Sequence, residues 1–379
     1  MKLRSLLLSL GLLSFMAHAQ TPAPADPQAK ATLGQQLFFD VNLSKNRTQS
    51  CASCHSPAQG FIDNRAGSEL GASIGDDGTS LGDRNAPTVG YAALSPAFHL
   101  KANGEWAGGQ FWDGRAATLA EQAGGPPLNP IEMGMPNQTS VIDRLKENAQ
   151  YVHQFNALYG AGILDRPEQA YAAMSDSLAA FEKTDFFAPF DSKYDRFLRG
   201  ETKLTDQEEL GRLLFFSQQF TNCNQCHQLR TSARARDETF SNYEYRNIGT
   251  PVNAELRAVN GVAADFVDRG LLDNPAIDDP AQAGKFKVPT LRNVAVTGPY
   301  MHNGVFKDLR TVVLFYDKYN NPTRTTNPET GKPWGEPEVA ENLALKELEH
   351  GPALEDERVD AIVAFLKTLT DQRYEHLLK

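Results

Sequence analysis

Apolar residues recur at helical spacing in many parts of the chain, and regular alternation of apolar and polar residues is rare. Thr205 and Glu208 form a capping-box pattern directly before a helical run. In that run Leu210, Leu213 and Leu214 recur at helical spacing, so the pattern predicts a helix with these leucines on one stripe.

Another helix is predicted over 141–158, where Ile142, Leu145 and Ala149 lie on one stripe. Segments rich in Gly, Asp and Pro, such as 67–84 and 320–337, are typical of loops. The pattern as a whole predicts a mainly α fold with little sheet.

The chain also repeats itself. Three pairs of matching segments follow in the same order: LGQQLFF (33–39) with LGRLLFF (210–216), WDG (112–114) with HNG (302–304), and SLAAFEKT (177–184) with AIVAFLKT (361–368). The two copies divide at about 186–203, where polar residues follow the first closing helix. We therefore predict an N-terminal domain at 20–190 and a C-terminal domain at 191–379, built alike.

The length of 379 residues is enough for two domains, each with its own core. A hydrophobic fraction of 41% and a charged fraction of 22% are typical of a globular protein and exclude disorder. The net charge of −10 disfavours nucleic acid and membrane surfaces as partners, because both carry negative charge. A protein or a small molecule is the expected partner.

The first 19 residues have the layout of a secretory signal peptide. Lys2 and Arg4 precede an apolar run over 6–16, and Ala17-His18-Ala19 follows as a cleavage site. The alternative is a membrane anchor, but the run is shorter than the roughly 20 residues that a membrane span needs. We expect export to an extracytoplasmic compartment, the periplasm.

The four cysteines fall in two C-x-x-C-H motifs: Cys51, Cys54 and His55, and Cys223, Cys226 and His227. Two thiols at this spacing can form thioethers with haem, and the following histidine can bind the iron. Two disulfides, a zinc site and a redox dithiol are alternatives, but none of them requires a histidine after each pair. The sequence therefore predicts two covalently bound c-type haems, one in each cytochrome c-like domain.

The repeat predicts that the two irons differ on their second axial side. Fourteen residues after His302 lies Tyr316, and fourteen residues after the equivalent Trp112 lies Pro126. Proline has no ligand atom in its side chain, so the first haem is expected to be open where the second faces a phenol. Tyr316 packed in a helix without binding iron is the alternative.

An open haem that cleaves peroxide needs polar groups beside it. Gln122 and Glu132 flank Pro126, and a carboxylate there can move a proton between the two peroxide oxygens. The alternative is that Glu132 is a solvated loop residue. Its place beside the predicted open face makes it a candidate catalytic residue.

These features resemble the bacterial dihaem cytochrome c peroxidase and MauG superfamily, and the resemblance extends over nearly the whole mature chain. Its most specific stretches are IGDDGTSLGDRNAPTVGYAAL, GGQFWDGRAATL, APFDSKYDR, FKVPTLRNVAVTGPYMHNGVFKDLR and NPETGKPWGEPEVAENL. Runs of this length are far more specific than the haem motifs.

The resemblance implies a five-coordinate haem on His55, where peroxide or oxygen reacts, and a six-coordinate haem on His227 and Tyr316. A methionine usually occupies the latter position in peroxidases of the superfamily, and tyrosinate favours more oxidised iron. The resemblance also implies that Trp112 carries charge between the haems. Gln122, Pro126 and Glu132 would then form the distal pocket of the first haem.

A calcium ion between the haems is implied as well. Its ligands would be the side chain of Asn85 and the carbonyls of Thr297 and Pro299, which are the hard oxygen donors that calcium prefers. His302 would lie near the second haem without binding its iron.

The activity that the resemblance implies is oxidation of a protein substrate with hydrogen peroxide or oxygen. The expected substrate is a methylamine dehydrogenase precursor, in which two tryptophans become tryptophan tryptophylquinone. The alternatives are a cytochrome c peroxidase that takes electrons from a small periplasmic carrier protein, and a plain electron carrier. The plain carrier would need two closed haems, which Pro126 disfavours.

One segment departs from the family pattern. A Trp-Asn pair that can relay charge to the protein substrate is expected before the second haem motif, whereas this chain has Gln-Gln-Phe-Thr-Asn at 218–222. Tyr243 or Tyr245 could provide an electron exit instead, or the substrate could differ.

Overall fold

The structure is a computed structural model that describes residues 26–379. The predicted signal peptide at 1–19 lies outside these residues. The chain is mainly helical, which confirms the predicted fold class. The α-helices are α1 (Pro27–Phe38), α2 (Cys51–Cys54), α3 (Leu119–Ala123), α4 (Gln138–Lys146), α5 (Ala149–Tyr159), α6 (Pro167–Glu182), α7 (Lys193–Leu198), α8 (Asp206–Phe215), α9 (Ala254–Arg257), α10 (Leu309–Asp317), α11 (Leu345–Leu348) and α12 (Asp356–Lys367).

Three two-stranded antiparallel ladders accompany the helices. They pair β1 (His99–Leu100) with β2 (Trp106–Ala107), β3 (Tyr245–Arg246) with β4 (Phe286–Lys287), and β5 (Thr326–Asn327) with β6 (Lys332–Pro333). The last of these lies within 320–337, which was predicted to be a loop throughout.

Each half is built on one pair of helices that approach very closely. A Cβ added to Gly34 of α1 would lie 1.9 Å from the carbonyl oxygen of Ser177 on α6, and one added to Gly211 of α8 would lie 1.8 Å from that of Ala361 on α12. These four positions correspond in the sequence repeat. The sequence repeat therefore reflects the same helix pair formed once in each half. Only glycine permits such close contact between the two backbones.

The hydrophobic cores repeat in the same way. Phe38 packs on Phe181 at a ring distance of 5.6 Å, and the equivalent Phe215 packs on Phe365 at 5.2 Å. The first core also takes in Tyr374, which lies near the C-terminus. The C-terminal tail therefore packs on the first half of the chain. The domain boundary between residues 190 and 191 stays a prediction.

The segment 141–158 forms two helices, so the prediction of one helix was wrong. The side chain of Asn148 accepts a hydrogen bond from the N–H of Gln150 at 2.9 Å and starts α5 at Ala149. Asn148 itself has an extended backbone, which ends the preceding helix. Ala149 therefore does not continue the stripe of Ile142 and Leu145.

Helix α8 begins as predicted, with a capping box between Thr205 and Glu208. Its apolar stripe differs from the prediction, because Leu210 is 37% and Leu213 55% exposed. The buried residues of α8 are Gly211, Leu214 and Phe215, and of these Gly211 and Phe215 contact α12 at Ala361 and Phe365. The glycine at the crossing point turns the buried face of the helix away from those two leucines.

Candidate active site: two cavities that share a tryptophan

The first C-x-x-C-H motif forms the single-turn helix α2 and ends on His55, whose N–H bonds to the Cys51 carbonyl at 2.9 Å. The ring atom Nδ1 of His55 donates to the carbonyl of Phe61 at 3.3 Å. A carbonyl only accepts, so Nε2 keeps its lone pair for a metal. Burial lowers the pKa of His55, which keeps the ring neutral.

The second motif repeats this geometry. The N–H of His227 bonds to the Cys223 carbonyl at 2.9 Å, and Nδ1 donates to the carbonyl of Phe240 at 3.2 Å. Phe61 and Phe240 both have a left-handed backbone, with φ of 63° and 55°. Burial lowers the pKa of His227 to about 4. Both motifs therefore present a neutral imidazole with a free Nε2, which fits axial ligation of haem iron.

Each motif opens into its own cavity. The first cavity contains the residues predicted for the open haem: Cys51, Cys54, His55, Trp112, Gln122, Pro126 and Glu132. The second cavity contains those predicted for the closed haem: Cys223, Cys226, His227, Trp112, His302 and Tyr316. The structure thus brings the predicted side chains together in two groups, and the residues present fit one haem in each cavity.

Trp112 lines both cavities. Its indole Nε1 donates to the backbone carbonyl of Asn85 at 2.8 Å. The neighbouring Asp113 is buried and accepts from Arg84 at 2.6 Å, and Arg84 also donates to Asp268 at 2.6 Å. This ion-paired layer fixes the backbone around the tryptophan between the two cavities.

Pro126 and Glu132 lie on a tight chain reversal at the first cavity. Pro126 starts a 3₁₀ turn that ends at Leu128, and its carbonyl accepts from the N–H of Met133 at 3.3 Å. The side-chain amide of Asn129 donates to Glu132 Oε1 at 2.7 Å. Burial raises the pKa of Glu132, although Arg115 and the Asn129 bond oppose the shift. Glu132 is therefore a held carboxyl group that lines the cavity, not a freely solvated loop residue.

Tyr316 lies in the last turn of α10 and lines the second cavity together with both cysteines of the motif. Its ring packs edge-on against Phe315 at 6.1 Å. Burial and the nearby thiols of Cys226 and Cys223 raise the pKa of Tyr316. A bound iron would act in the opposite direction, because a metal cation favours the tyrosinate.

His302, the repeat partner of Trp112, also lies at the second cavity. Its ring stacks on Phe286 at 3.5 Å with an interplanar angle of 8°. Nε2 has no hydrogen-bond partner within residues 26–379, and burial lowers the pKa of His302 to about 3.

The predicted calcium ligands lie near one another. The side-chain amide of Asn85 donates to the carbonyl of Pro299 at 3.1 Å, and the Asn85 N–H donates to the carbonyl of His302 at 2.6 Å. Thr297 precedes Pro299 by two residues. The side-chain nitrogen of Asn85 now faces the Pro299 carbonyl, and a cation would need the side-chain oxygen in its place. Rotating the amide group by 180° exchanges the two atoms. Among residues 26–379, no three or more His, Cys, Asp or Glu side chains form a metal-binding group.

The proposed tyrosine exits do not reach the surface. Tyr243 is 4% and Tyr245 1% exposed, and the Tyr245 hydroxyl donates to the carbonyl of Gly108 at 2.7 Å. Neither ring can therefore contact a partner protein directly, and a role for either tyrosine in electron exit stays a prediction. Phe220, in the segment that replaces the expected Trp-Asn pair, is 39% exposed and lines the second cavity.

Three site residues were missed from the sequence. Arg84 carries its charge into the layer between the cavities, and Lys287 donates to the carbonyl of Gly109 at 2.6 Å beside the second cavity. Glu182 lines the first cavity. No sequence signal identifies Arg84 or Lys287. Glu182 could have been identified from the repeat, because it is an acid at the position where the second copy has Leu366.

Comparison with known proteins agrees with this arrangement. The family model for di-haem cytochrome c peroxidase matches residues 28–203. The chain is 58% identical over 364 residues to the methylamine utilization protein MauG of Paracoccus denitrificans, covering 95% of this chain and 93% of that protein. It is 35% identical to the cytochrome c peroxidase Ccp of Escherichia coli, covering 78% of this chain and 54% of that protein.

Among solved structures, the diheme peroxidase BthA of Burkholderia thailandensis superimposes with a TM-score of 0.83 at 32% identity, covering 94% of this chain and 91% of that one. A MauG-like protein associated with microbial copper homeostasis gives a TM-score of 0.66 at 29% identity, covering 95% and 96%. The fold and the paired haem motifs define a dihaem peroxide-dependent oxidoreductase. The chain belongs to the di-haem cytochrome c peroxidase and MauG family, whose members hold two c-type haems.

Proposed function

We propose that this enzyme uses hydrogen peroxide to oxidise a protein substrate, and that the substrate is a methylamine dehydrogenase precursor whose two tryptophans become tryptophan tryptophylquinone. In each turnover one peroxide becomes two waters by accepting two electrons and two protons from the substrate. Joining the two tryptophans and oxidising the quinol release these directly, and each of the two oxygen additions also consumes one water, which supplies the oxygen atom. The observation that carries the proposal is the chemical difference between the two cavities that share Trp112.

At the first cavity, His55 would hold the iron from one side. Pro126 lines the same cavity and has no ligand atom in its side chain, so peroxide would have room to bind there. Glu132, which accepts a hydrogen bond from Asn129, would take a proton from one peroxide oxygen and return it to the other. The haems, when bound, supply the electron-accepting chemistry.

At the second cavity, His227 and Tyr316 would both bind the haem iron, which would leave no place for peroxide and would let this haem store oxidising equivalents. Trp112 would carry charge between the two haems, because its indole lines both cavities. The hydrogen bond to Asn85 fixes the plane of the indole while charge passes.

The substrate assignment is supported by the 58% identity to a methylamine utilization protein over nearly the full length of both chains. Tyr316 supports it too, because a peroxidase that draws electrons from a carrier protein usually has methionine there. Thr221 and Asn222 replace the expected Trp-Asn pair. Electrons would therefore leave the substrate for the second haem by a different route, and Phe220, which is 39% exposed and lines the second cavity, is a candidate for it.

We further propose calcium between the cavities, with Asn85, Thr297 and Pro299 as ligands, and export to the periplasm directed by residues 1–19. Among residues 26–379 no helix is long and apolar enough to cross a membrane. Treatment with a chelator should change the haem spectrum, calcium should restore it, and magnesium should not, because calcium accepts more ligands in a less regular geometry.

The experiment is to incubate the purified dihaem protein with peroxide and the precursor, and to follow the quinone absorbance and the mass of the precursor. The proposal predicts that both change with time. An unchanged precursor would overturn the substrate assignment. Rapid peroxide turnover with a reduced small electron carrier would instead identify a cytochrome c peroxidase.

A further inference from the structure

A carboxyl group without a partner lies at the first cavity. Glu182, the last residue of α6, is 5% exposed and lines this cavity together with Cys51. Its Oε2 atom has no hydrogen-bond partner within residues 26–379. An unpaired buried carboxyl destabilises a fold, so a function is the simplest reason for its presence.

The repeat shows what the fold would accept at this position. Ser177 and Ala361 occupy equivalent helix crossings, and five residues further along lie Glu182 and Leu366. Leu366 lines the second cavity as Glu182 lines the first. The same place beside the haem motif therefore carries an acid in one half and a leucine in the other. The acid distinguishes the first cavity and is not required by the fold.

Burial alone raises the pKa of Glu182 to about 8. No charged side chain contributes to this shift, although α1, α3, α4 and the turn at 163–165 pack against α6. The charged groups of these elements lie elsewhere: Lys30 pairs with Asp176, Glu121 bonds to the N–H of Ala117, Arg144 to the carbonyl of Lys45, and Lys146 pairs with Asp165. Asp143 lies on the exposed side of α4.

Within the cavity the titratable and charged neighbours are Cys51, Cys54, His55, Arg84, Arg115 and Glu132. The pKa of the Cys51 thiol is raised mainly by burial and, second, by the negative charge of Glu182. Cys51 is also one of the two cysteines that would anchor the haem in this cavity. A charge on Glu182 therefore acts on the group that occupies this cavity.

We propose that Glu182 is the redox-linked proton site of the first haem. When the iron gains one electron, the carboxylate takes up one proton, and when the iron loses that electron, the carboxylic acid releases the proton. The negative charge of the electron is then balanced by the positive charge of the proton. This balance stabilises a buried cavity, because unit charges interact strongly at low dielectric. The inference does not depend on the identity of the protein substrate.

This coupling makes the midpoint potential of the first haem depend on pH. Each pH unit is a tenfold change in proton concentration, which for a one-electron couple corresponds to about 59 mV. The potential should fall by up to this amount per pH unit in a window that includes neutral pH. Proton uptake from a weakly buffered solution should accompany reduction.

The test is a spectroelectrochemical titration of the dihaem protein at a series of pH values, with Glu182→Gln and Glu182→Leu. The first change keeps the shape of the side chain, and the second installs the residue of the other half. The control is Glu121→Gln, which alters an exposed carboxylate of α3 outside both cavities. We expect the pH slope to be lost in both Glu182 variants and kept in the control.

A slope that is equal in the wild type and Glu182→Gln would overturn the proposal, as would a wild-type potential that does not change with pH. A measurement on the unmodified protein guards against variants that fail to bind haem. Redox difference infrared spectra should show a carboxylic acid carbonyl that appears on reduction. Its absence would also overturn the proposal.

Discussion

The indole Nε1 of Trp112 donates a hydrogen bond to the backbone carbonyl of Asn85 at 2.8 Å. Through its side chain and its N–H, Asn85 also contacts the carbonyls of Pro299 and His302. The tryptophan that borders both cavities is thus held by the same residue that is proposed to bind calcium. Electron transfer between the haems and calcium binding should therefore depend on each other.

Replacing Trp112 by phenylalanine should uncouple the two haems. Phenylalanine is oxidised less readily than indole, so it should not carry charge between the haems. Peroxide should still react at the first haem, but the second haem should no longer be oxidised. Oxidation of the protein substrate should fall by about tenfold or more, equivalent to about 1.4 kcal/mol of barrier. Stopped-flow spectra after peroxide addition measure this.

The matched control is Trp334→Phe. Trp334 also donates its indole N–H to a carbonyl, that of Arg324 at 2.7 Å, but it borders neither cavity. Equal losses in the two variants would mean that Trp112 has only a packing role.

Glu132→Gln should slow the reaction with peroxide by about 10²- to 10⁴-fold, because glutamine cannot exchange the proton. Burial raises the pKa of Glu132, and only the carboxylate can accept the proton from peroxide. The wild-type rate should therefore rise with pH through this raised pKa, and the variant should lack that rise. A variant with the wild-type rate and pH profile would remove Glu132 from the reaction.

Tyr316→Phe should convert the second haem from low spin to high spin, because phenylalanine has no ligand atom. Tyr316→His should keep the haem low-spin while weakening its ability to store oxidising equivalents, since imidazole favours the oxidised iron less than tyrosinate does. EPR spectra of the ferric proteins distinguish high-spin from low-spin haem and so measure the spin state in each variant. A low-spin signal unchanged in Tyr316→Phe would show that Tyr316 only packs in α10.

Gly34→Ala and Gly211→Ala should each prevent one half from folding normally. Alanine improves helix propensity by about 1 kcal/mol, but its Cβ would meet a backbone carbonyl of the partner helix at less than 2 Å. Overpacking of this kind costs about 3 kcal/mol or more. Denaturant unfolding should show this loss in both variants. Gly82→Ala, whose Cβ would meet nothing closer than 3.9 Å, should be nearly neutral.

Much of the site could be predicted from the sequence because its chemistry is encoded locally. The C-x-x-C-H spacing fixes Cys51 and His55 on one helical turn, and the repeat pairs Trp112 with His302. The offset of fourteen residues then identified Pro126 and Tyr316. Each of these inferences needs only short-range geometry.

Other features were missed because a local side-chain cap or a contact with a distant segment overrides the periodic pattern. The break before Ala149 comes from a side-chain cap at Asn148 that competes with an otherwise continuous apolar stripe. The exposure of Leu210 and Leu213 follows from the glycine-mediated approach of another helix, more than a hundred residues away. Periodicity cannot show which face of a helix another helix will cover.

The central claim is that the two haems differ, with the first open to peroxide and the second closed by Tyr316, and that Trp112 connects them. EPR spectra of the diferric protein before and after stoichiometric peroxide, without prior reduction, test it most directly. We expect one high-spin and one low-spin ferric signal, both lost together after peroxide. Two low-spin signals, or no reaction until one haem is reduced, would contradict the account.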